Sequence, residues 1–303
     1  MLYQLSYTPA AGRGPYKPGM ALASRCHCRA RTATGTAAMH APVRHPEPVP
    51  AELLLLAYRS GIFPMADHRD DPEVYWVEPK ERAIIPLNRF RMSRSLAKVL
   101  KRERFRVSCD EDFAGVIAHC AAPREEDAES WISRRIEASY LALHAQGHAH
   151  SIECWLTDDR GVGHLAGGLY GVAFDRVFCG ESMFSRTDNA SKVALAWLVA
   201  SLRRAGFMVL DCQFMTGHLG SLGAVPLPQA EYLRLLKAAR GEPICSLPQA
   251  VASFAASALG AAEGAAEGAA FGAGAGPALP GVAVGGAPSS PGKLIAQSLT
   301  QTS

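Results

Sequence analysis

The stretch "FCGESMFSRTDNASKVALAWL", residues Phe178 to Leu198, decides the fold because it joins two different periodicities. Its first part is a short apolar run that carries one carboxylate, Glu181, and is typical of a strand. Its second part has the spacing of an amphipathic helix, with Asn189 or Ser191 as the N-cap and Gly206 just beyond the end. The stretch therefore predicts a strand that leads through a polar loop into a helix, and it raises the question of what the lone carboxylate does.

The sequence on either side predicts more strands. Upstream, "HSIECWLT", "HLAGGLYGVAF" and "VFCGE" are separated by the turns "DDRG" and "DR", which is the pattern of an antiparallel meander. Downstream, "FMVLDCQ" is a buried strand that ends in polar residues. Helices are predicted in "AELLLLAYRSG", in "MSRSLAKVLKRE" with Ser93 as N-cap, and in "ESWISRRIEASYLALHAQG". Strands with helices between them indicate an α+β or a mixed α/β fold, and this pattern alone does not separate the two.

Composition limits the folded part of the 303-residue chain. Residues 1–48 are rich in Ala, Arg, Gly, Pro and Thr and are predicted to be a disordered arm; residues 246–303, with their Ala/Gly repeats, are predicted to be a disordered tail. Folded protein is expected between them. The net charge of +3 argues against a general nucleic-acid coat protein but allows a local basic patch.

Cysteine usage and hydropathy bear on the compartment. The eight cysteines include no CxxC pair, the N-terminus has no apolar signal segment, and no run of about 18 apolar residues occurs. We expect reduced thiols, a cytoplasmic location and no membrane span. Neither a GxxxxGK[ST] loop nor a GxGxxG fingerprint is present, so the sequence gives no support for a nucleotide cofactor.

Two residues at the end of a predicted strand are the first candidates for chemistry. Asp211 and Gln213 are two positions apart, so on a strand they point the same way. A carboxylate with a carboxamide can orient an amine and accept its proton; the plainer alternative is an Asp that caps the next turn. Glu181 is predicted to end the third meander strand close to them, although a surface Glu is the alternative. Met183 beside it suits a pocket that accepts more than one apolar group.

Aromatic, basic and histidine residues supply further candidates. Trp76 and Trp131 flank loops and are expected to face a site, whereas Trp155 and Trp197 are expected in the core. The histidines in "HAQGHAH" are not expected to bind metal, because the helix that would align them ends at Gly147. The stretch "RFRMSRSLAKVLKRERFR" has eight cations against one Glu, which fits either a phosphate backbone or a solvated helix face.

Taken together, these motifs resemble those of the bacterial leucyl/phenylalanyl-tRNA–protein transferases. "GIFPM", "WxxPxxR" from Trp76 to Arg82, "GGLYGV", "FCGESMFS", "NASKVAL", "DCQ" and "HLGSLGA" occur in the family's order, along with "WI" followed by "YLALHAQGHAHSIECW". The resemblance spans residues 53–236. It implies a small N-terminal domain at 49–120 and an acetyltransferase-like (GNAT-like) catalytic domain at 121–245.

The resemblance also implies an activity. Leu or Phe, and less readily Met, would move from aminoacyl-tRNA to a protein whose N-terminus is Arg or Lys, which marks that protein for degradation by the N-degron route. The enzyme would be a cytoplasmic monomer without a metal, a coenzyme or a membrane partner.

The family's functional residues fall on matching positions of this chain. Asp211 and Gln213 correspond to its proposed catalytic pair, with Gln213 either receiving the amine's proton or only orienting the amine. Glu181 corresponds to a carboxylate near the acceptor N-terminus. The predicted substrate-binding residues are Trp76, Trp131, Tyr140, Phe178, Ser182 and Met183. The predicted tRNA-binding residues are Arg89, Arg91, Arg94, Lys98, Lys101 and Arg102.

Two other functions compete with this one. An acetyl-CoA-dependent N-acetyltransferase would need a pyrophosphate-binding loop at a helix start, and "SRTDNA" before Ser191 lacks its basic and Gly-rich character. A non-catalytic RNA-binding module would account for the basic stretch but would leave "DCQ" and "GESMFS" unexplained.

Overall fold

A computed structural model of the chain describes residues 47–123, 129–257 and 290–300. The strands in this part are β1 (Phe63–Met65), β2 (Tyr75–Val77), β3 (Glu81–Ile85), β4 (Arg106–Cys109), β5 (Ala149–Thr157), β6 (Gly163–Phe174), β7 (Val177–Ser185), β8 (Val209–Gln213) and β9 (Val225–Pro228). β1 pairs with β2, and the others form one seven-stranded sheet in the order β4-β5-β6-β7-β8-β3-β9.

Helices lie on both faces of this sheet. They are α1 (Ala51–Arg59), α2 (Arg94–Lys101), α3 (Phe113–Ala121), α4 (Arg134–Ala145), α5 (Ala190–Ala205), α6 (Gly217–Ser221), α7 (Gln229–Ala238), α8 (247–257) and α9 (Pro291–Thr300), with a 3-10 turn at Leu87–Arg89. The predicted N-cap of α2 is confirmed, since Ser93 Oγ accepts a hydrogen bond from the Leu96 amide. Among the residues that the structure describes, no helix is both long and apolar enough to cross a bilayer.

The sheet is mostly antiparallel, and one pair of strands makes the fold mixed. β5, β6 and β7 form the predicted antiparallel meander. β7 and β8 are parallel, and α5 makes the crossover connection that a parallel pair requires. The predicted mixed α+β class is confirmed, with α1 and the β1–β2 pair as a small N-terminal region beside a larger body. β3 and β4, which precede residue 121, are strands of the large sheet.

Two apolar cores lie on the two faces of the sheet. One is built around α5 and includes residues of α2, α8 and α9; the other includes residues of α1, α3, α4 and α7. α5 is apolar on nearly every side because it packs between the sheet and the two C-terminal helices. Trp197 on α5 makes an edge contact with Phe254 on α8, at 6.0 Å between ring centroids, and is a core residue as predicted.

The two C-terminal helices differ from the predicted disorder of residues 246–303. Leu247 and Phe254 of α8, and Ile295 and Leu299 of α9, are buried in the α5 core. Their apolar spacing of three to four residues was hidden by the Ala/Gly composition around them. Gly292 allows α9 to cross α2 closely, because a Cβ there would come 2.1 Å from a carbonyl oxygen of α2. Residues 1–46, also predicted to be disordered, lie outside the described part.

Candidate active site

Glu181 occupies an irregular position inside β7. The β6–β7 register pairs Tyr170 with Ser182 and Gly171 with Gly180, so Glu181 is the extra residue of a bulge. The prediction that Glu181 ends its strand is wrong, because β7 continues to Ser185. Glu181 lies two residues after Cys179 and, like it, points into the core beneath α1 and α4. The bulge then interrupts the alternation, and Met183 faces the α5 core.

The Glu181 carboxylate is held by three donors in a fully buried position. Tyr58 Oη donates to Oε1 at 2.7 Å, Tyr140 Oη donates to Oε2 at 3.0 Å, and Gln213 Nε2 donates to Oε1 at 2.9 Å. The two tyrosine oxygens are also 2.6 Å apart. Sequence reasoning missed Tyr58: its position on the apolar face of α1 predicts only a core residue. The arrangement gives Glu181 fixed partners on α1, α4 and β8.

Burial changes the acidity of this carboxyl group. Desolvation raises the pKa of Glu181 to about 7, and the hydrogen bonds from Tyr58, Gln213 and Tyr140 offset only part of that effect. Glu181 can therefore be either charged or protonated near neutral pH. A group with this property inside a polar cluster is a candidate for binding or transferring a proton-bearing group.

The raised pKa predicts a pH-dependent stability. The native protein binds the Glu181 proton more tightly than the unfolded chain between about pH 4.5 and pH 7. The contribution of Glu181 to the free energy of unfolding therefore falls as pH rises through that window and levels off above it. The wild-type free energy of unfolding, minus that of Glu181→Gln, should fall by on the order of 3 kcal/mol from pH 4.5 to pH 8.

Urea unfolding at each pH measures this difference, and the exposed carboxylate of Glu231 provides a matched control in Glu231→Gln. A wild-type-minus-Glu181→Gln difference that stays flat across the window would contradict the raised pKa.

Asp211 lies on β8 and forms a buried ion pair with Arg82 of β3. Arg82 Nη2 and Nε both donate to the Asp211 carboxylate, the latter at 3.3 Å. Tyr232 Oη donates to Oδ2 at 2.8 Å. Burial acts to lower the pKa of the Arg82 guanidinium, but the charge of Asp211 outweighs it and the net pKa is raised. Arg82 is therefore a permanent buried cation.

Gln213 connects Asp211 to Glu181. Its backbone N–H donates to Asp211 Oδ1 at 2.8 Å, and its side-chain Nε2 donates to Glu181. Its φ of +63° is left-handed. Its Oε1 is buried and has no hydrogen-bond partner among the described residues. The structure thus brings Glu181, Asp211 and Gln213 into one contiguous network, which ends in an acceptor oxygen without a donor.

The network lies where the parallel strands stop pairing. The described β7–β8 register ends at Cys179 and Asp211, whereas the β6–β7 and β3–β8 pairings continue beyond it, to Ser185 and Gln213. Gln213 and Glu181 span the place beyond that last pair. Ligands of sheets with parallel strands bind at the carboxyl ends of those strands, so this is the position where a substrate would be expected.

The predicted substrate-binding residues are divided between the two faces of the sheet, and the structure does not bring all of them together at this point. Phe178 and Met183 lie in the α5 core, whereas the tyrosines that hold Glu181 lie in the core on the other face. Ser182 Oγ is buried without a hydrogen-bond partner among the described residues. Trp131 is 8% exposed and packs in the same core as Tyr140, and Trp76 on β2 is 37% exposed.

The predicted tRNA-binding residues form one exposed basic segment at the 3-10 turn and along α2. No ion pair within the described residues involves any of them. They are Arg89, Arg91, Arg94, Lys98, Lys101 and Arg102, all of which are exposed. An uncompensated cationic surface of this kind attracts polyanions.

The histidines take no part in this site. His150 Nδ1 lies 2.6 Å from Asp110 Oδ2, and His144 Nδ1 lies 2.8 Å from the carbonyl oxygen of Ala149. In the described part of the chain, no three His, Cys, Asp or Glu side chains cluster in a way that could hold a metal ion.

Comparison with known proteins identifies the chain's relatives. Residues 84–237 match the family model described as leucyl/phenylalanyl-tRNA protein transferase, and residues 49–80 match the model of its N-terminal domain. The chain belongs to this family. The chain is an aminoacyltransferase, because the curated members it matches are named leucyl/phenylalanyl-tRNA–protein transferases.

Two relatives show how much of the chain this similarity covers. The leucyl/phenylalanyl-tRNA–protein transferase from Novosphingobium aromaticivorans is 58% identical over 264 residues, which cover 85% of this chain and 98% of that relative. The one from Zymomonas mobilis is 57% identical over 187 residues, covering 62% and 68% respectively. Among solved structures, L-PGS from Bacillus licheniformis is similar at a TM-score of 0.30 and 12% identity, over 56% of this chain and 55% of that one.

Membership of this family implies an aminoacyl-tRNA substrate, whose ester is already activated. Transfer to an amine therefore needs groups that orient the reactants more than it needs a protein nucleophile. The Glu181–Gln213–Asp211 network contains oriented acceptors and donors of this kind.

Proposed function

We propose that the chain moves Leu or Phe, and less readily Met, from aminoacyl-tRNA to proteins with an N-terminal Arg or Lys, marking them for N-degron degradation. It would act as a cytoplasmic monomer without a metal or a coenzyme. The observation that supports the proposal best is the buried Glu181 carboxylate, joined through Gln213 to Asp211 where the parallel strands part. This arrangement combines a negative charge with an acceptor oxygen that has no donor among the described residues.

The proposed reaction forms a peptide bond from an ester. The acceptor's neutral α-amine attacks the carbonyl carbon of the aminoacyl ester, the bond between that carbon and the ribose oxygen breaks, and the proton that the amine loses ends on the ribose hydroxyl. Gln213 Oε1 is suited to accept an N–H of the attacking amine, because it is buried and lacks a donor among the described residues. Glu181 is suited to attract the positive acceptor N-terminus. Positioning of the two reactants supplies much of the acceleration.

The transferred side chain requires an apolar pocket. From the family resemblance we assign it to Phe178, Met183 and Ser182, and we assign the aminoacyl-adenosine end to Trp76, Trp131 and Tyr140. Phe178 and Met183 are buried in the α5 core, on the face of the sheet opposite Glu181. A flexible Met accommodates both branched and planar groups. One methylene in such a pocket changes binding by only about 1–3 kcal/mol, so acceptance of both Leu and Phe is physically reasonable.

The exposed basic segment suits the acceptor stem of tRNA. Charge reversal in Arg94→Glu/Lys98→Glu should weaken Leu-tRNA binding about 10-fold or more at low salt. It should also make the slope of log affinity against log salt concentration shallower by the amount expected for the loss of about two phosphate contacts. Fluorescence titration at several salt concentrations measures both quantities. Arg160→Glu, which changes an exposed arginine in the β5–β6 turn, is the matched control. Unchanged affinity and slope would remove this segment from the tRNA site.

The activity itself is tested with labelled Leu. Purified protein should transfer labelled Leu from Leu-tRNA to a peptide that begins with Arg, and much less to the same peptide beginning with Ala. Transfer to both peptides alike would refute the acceptor specificity. Transfer of an acetyl group from acetyl-CoA, with none from Leu-tRNA, would favour the acetyltransferase instead, and tRNA binding without any transfer would favour an RNA-binding module.

A further inference from the structure

The Asp211 carboxylate has no capacity left for a substrate. Five donors approach its two oxygens: Arg82 Nε and Nη2, the Tyr232 hydroxyl, the Gln213 amide and Cys179 Sγ. A carboxylate offers about four lone-pair positions, so these donors use all of them. Asp211 is also fully buried. It is therefore arranged to hold other groups, and it does not face a ligand.

Arg82 is itself held on every side. Its guanidinium lies 4.8 Å from the ring centroid of Phe63 and 4.5 Å from that of Tyr232. Its Nη1 donates to the carbonyl oxygen of Gly61 at 3.3 Å, and Nη2 donates to Tyr232 Oη at the same distance. These contacts come from the end of α1, from β1 and from α7. Arg82 and Tyr232 thus fix the orientation of Asp211 from outside the catalytic network.

The fixed carboxylate determines the shape of the chain at Gln213. Asp211 Oδ1 accepts a hydrogen bond from the backbone N–H of Gln213 at 2.8 Å. Gln213 has a left-handed φ of +63°, which a residue with a Cβ adopts only at a cost in free energy. This hydrogen bond compensates for that conformation. The conformation sends the Gln213 side chain toward Glu181 and leaves Oε1 without a donor among the described residues.

We propose that Arg82 and Tyr232 are positioning residues for aminoacyl transfer, acting through Asp211 to hold Gln213 in the orientation that receives the acceptor amine. The inference rests on the proposed function, because it assigns Gln213 to the acceptor. It assigns no substrate contact to Arg82 or Tyr232.

Tyr232→Phe tests the assignment because it removes one hydroxyl and keeps the ring over Arg82. The variant should lower kcat for Leu transfer about 10-fold, while the KM values for Leu-tRNA and peptide stay within about twofold of wild type. Combined with Gln213→Ala, Tyr232→Phe should change kcat by less than about twofold, since residues that act as a unit are not additive. Tyr75→Phe, which alters a half-exposed tyrosine on β2, is the matched control.

The outcomes separate this inference from the proposed function. An absence of Leu transfer by the wild type would refute the function. Transfer by the wild type with an unchanged kcat in Tyr232→Phe would refute the positioning role, as would an equal loss with and without Gln213. Loss of cooperative thermal unfolding in Tyr232→Phe would make the hydroxyl a structural group and would also overturn the inference.

Discussion

Replacing Asp211 with Ala is expected to lower the free energy of unfolding by about 3–5 kcal/mol, because Arg82 would remain buried without its counter-charge. Both side chains are almost inaccessible, at 1% exposed for Arg82 and 0% for Asp211. Tyr232 and Gly61 would still accept hydrogen bonds from the Arg82 guanidinium, but neither carries a charge. Urea unfolding of the variant and the wild type measures this loss, provided that the two proteins have the same m-value.

A double replacement separates the missing charge from the missing volume. Arg82→Met/Asp211→Leu removes both charges and should recover most of the stability lost by Asp211→Ala, as apolar pairs commonly replace buried ion pairs without penalty. Its transfer activity should stay low, because Gln213 would lose the acceptor for its amide. The exposed pair of Arg134 and Asp70, replaced together by Ala, is the control for an ion pair in solvent. An Asp211→Ala variant as stable as wild type would show that the pair is not intact in solution.

The local part of this fold was predictable because its signals are short-range. The meander and the helix after it follow from alternating and helical apolar spacing. The buried stripe of α4 runs through Ile136, Tyr140 and Leu143, and Ile132, just before the helix, is buried with them. The polar end of β8 indicated two candidate residues. Their convergence with Glu181 was anticipated from strand ends and from the family resemblance.

Three features depended on long-range packing that one sequence does not reveal. Tyr58 lies 123 positions from Glu181, and Arg82 lies 129 positions from Asp211, so no local spacing connects them. The bulge at Glu181 puts Met183 on the face opposite Glu181, although two residues this far apart on a regular strand would share a face. Arg82 was visible in the "WxxPxxR" motif, but its burial was needed to show that it pairs with Asp211.

Removing the Gln213 side chain should reduce the rate of Leu transfer by about 10²–10³-fold, which is the range for losing one oriented polar group in an active site. Gln213 connects Glu181 to the Asp211–Arg82 pair through its side chain and its backbone amide. The affinity for Leu-tRNA should change little, because we assign tRNA binding to the exposed basic segment and not to Gln213. Single-turnover transfer and tRNA titration measure the two quantities separately.

The left-handed φ of Gln213 makes the choice of replacement important. Gln213→Ala keeps a Cβ in a strained conformation, whereas Gln213→Gly adopts φ of +63° without strain. Both variants should lose transfer to the same extent if the carboxamide is responsible. Recovery of activity in Gln213→Gly alone would assign the effect to backbone strain, and a rate within about threefold of wild type in both would exclude Gln213 from the transfer step. Gln146→Ala, at the exposed end of α4, is the matched control for removing a carboxamide. Because an amide oxygen binds an amine only when fixed toward it, equal and large losses are the result that the buried network predicts.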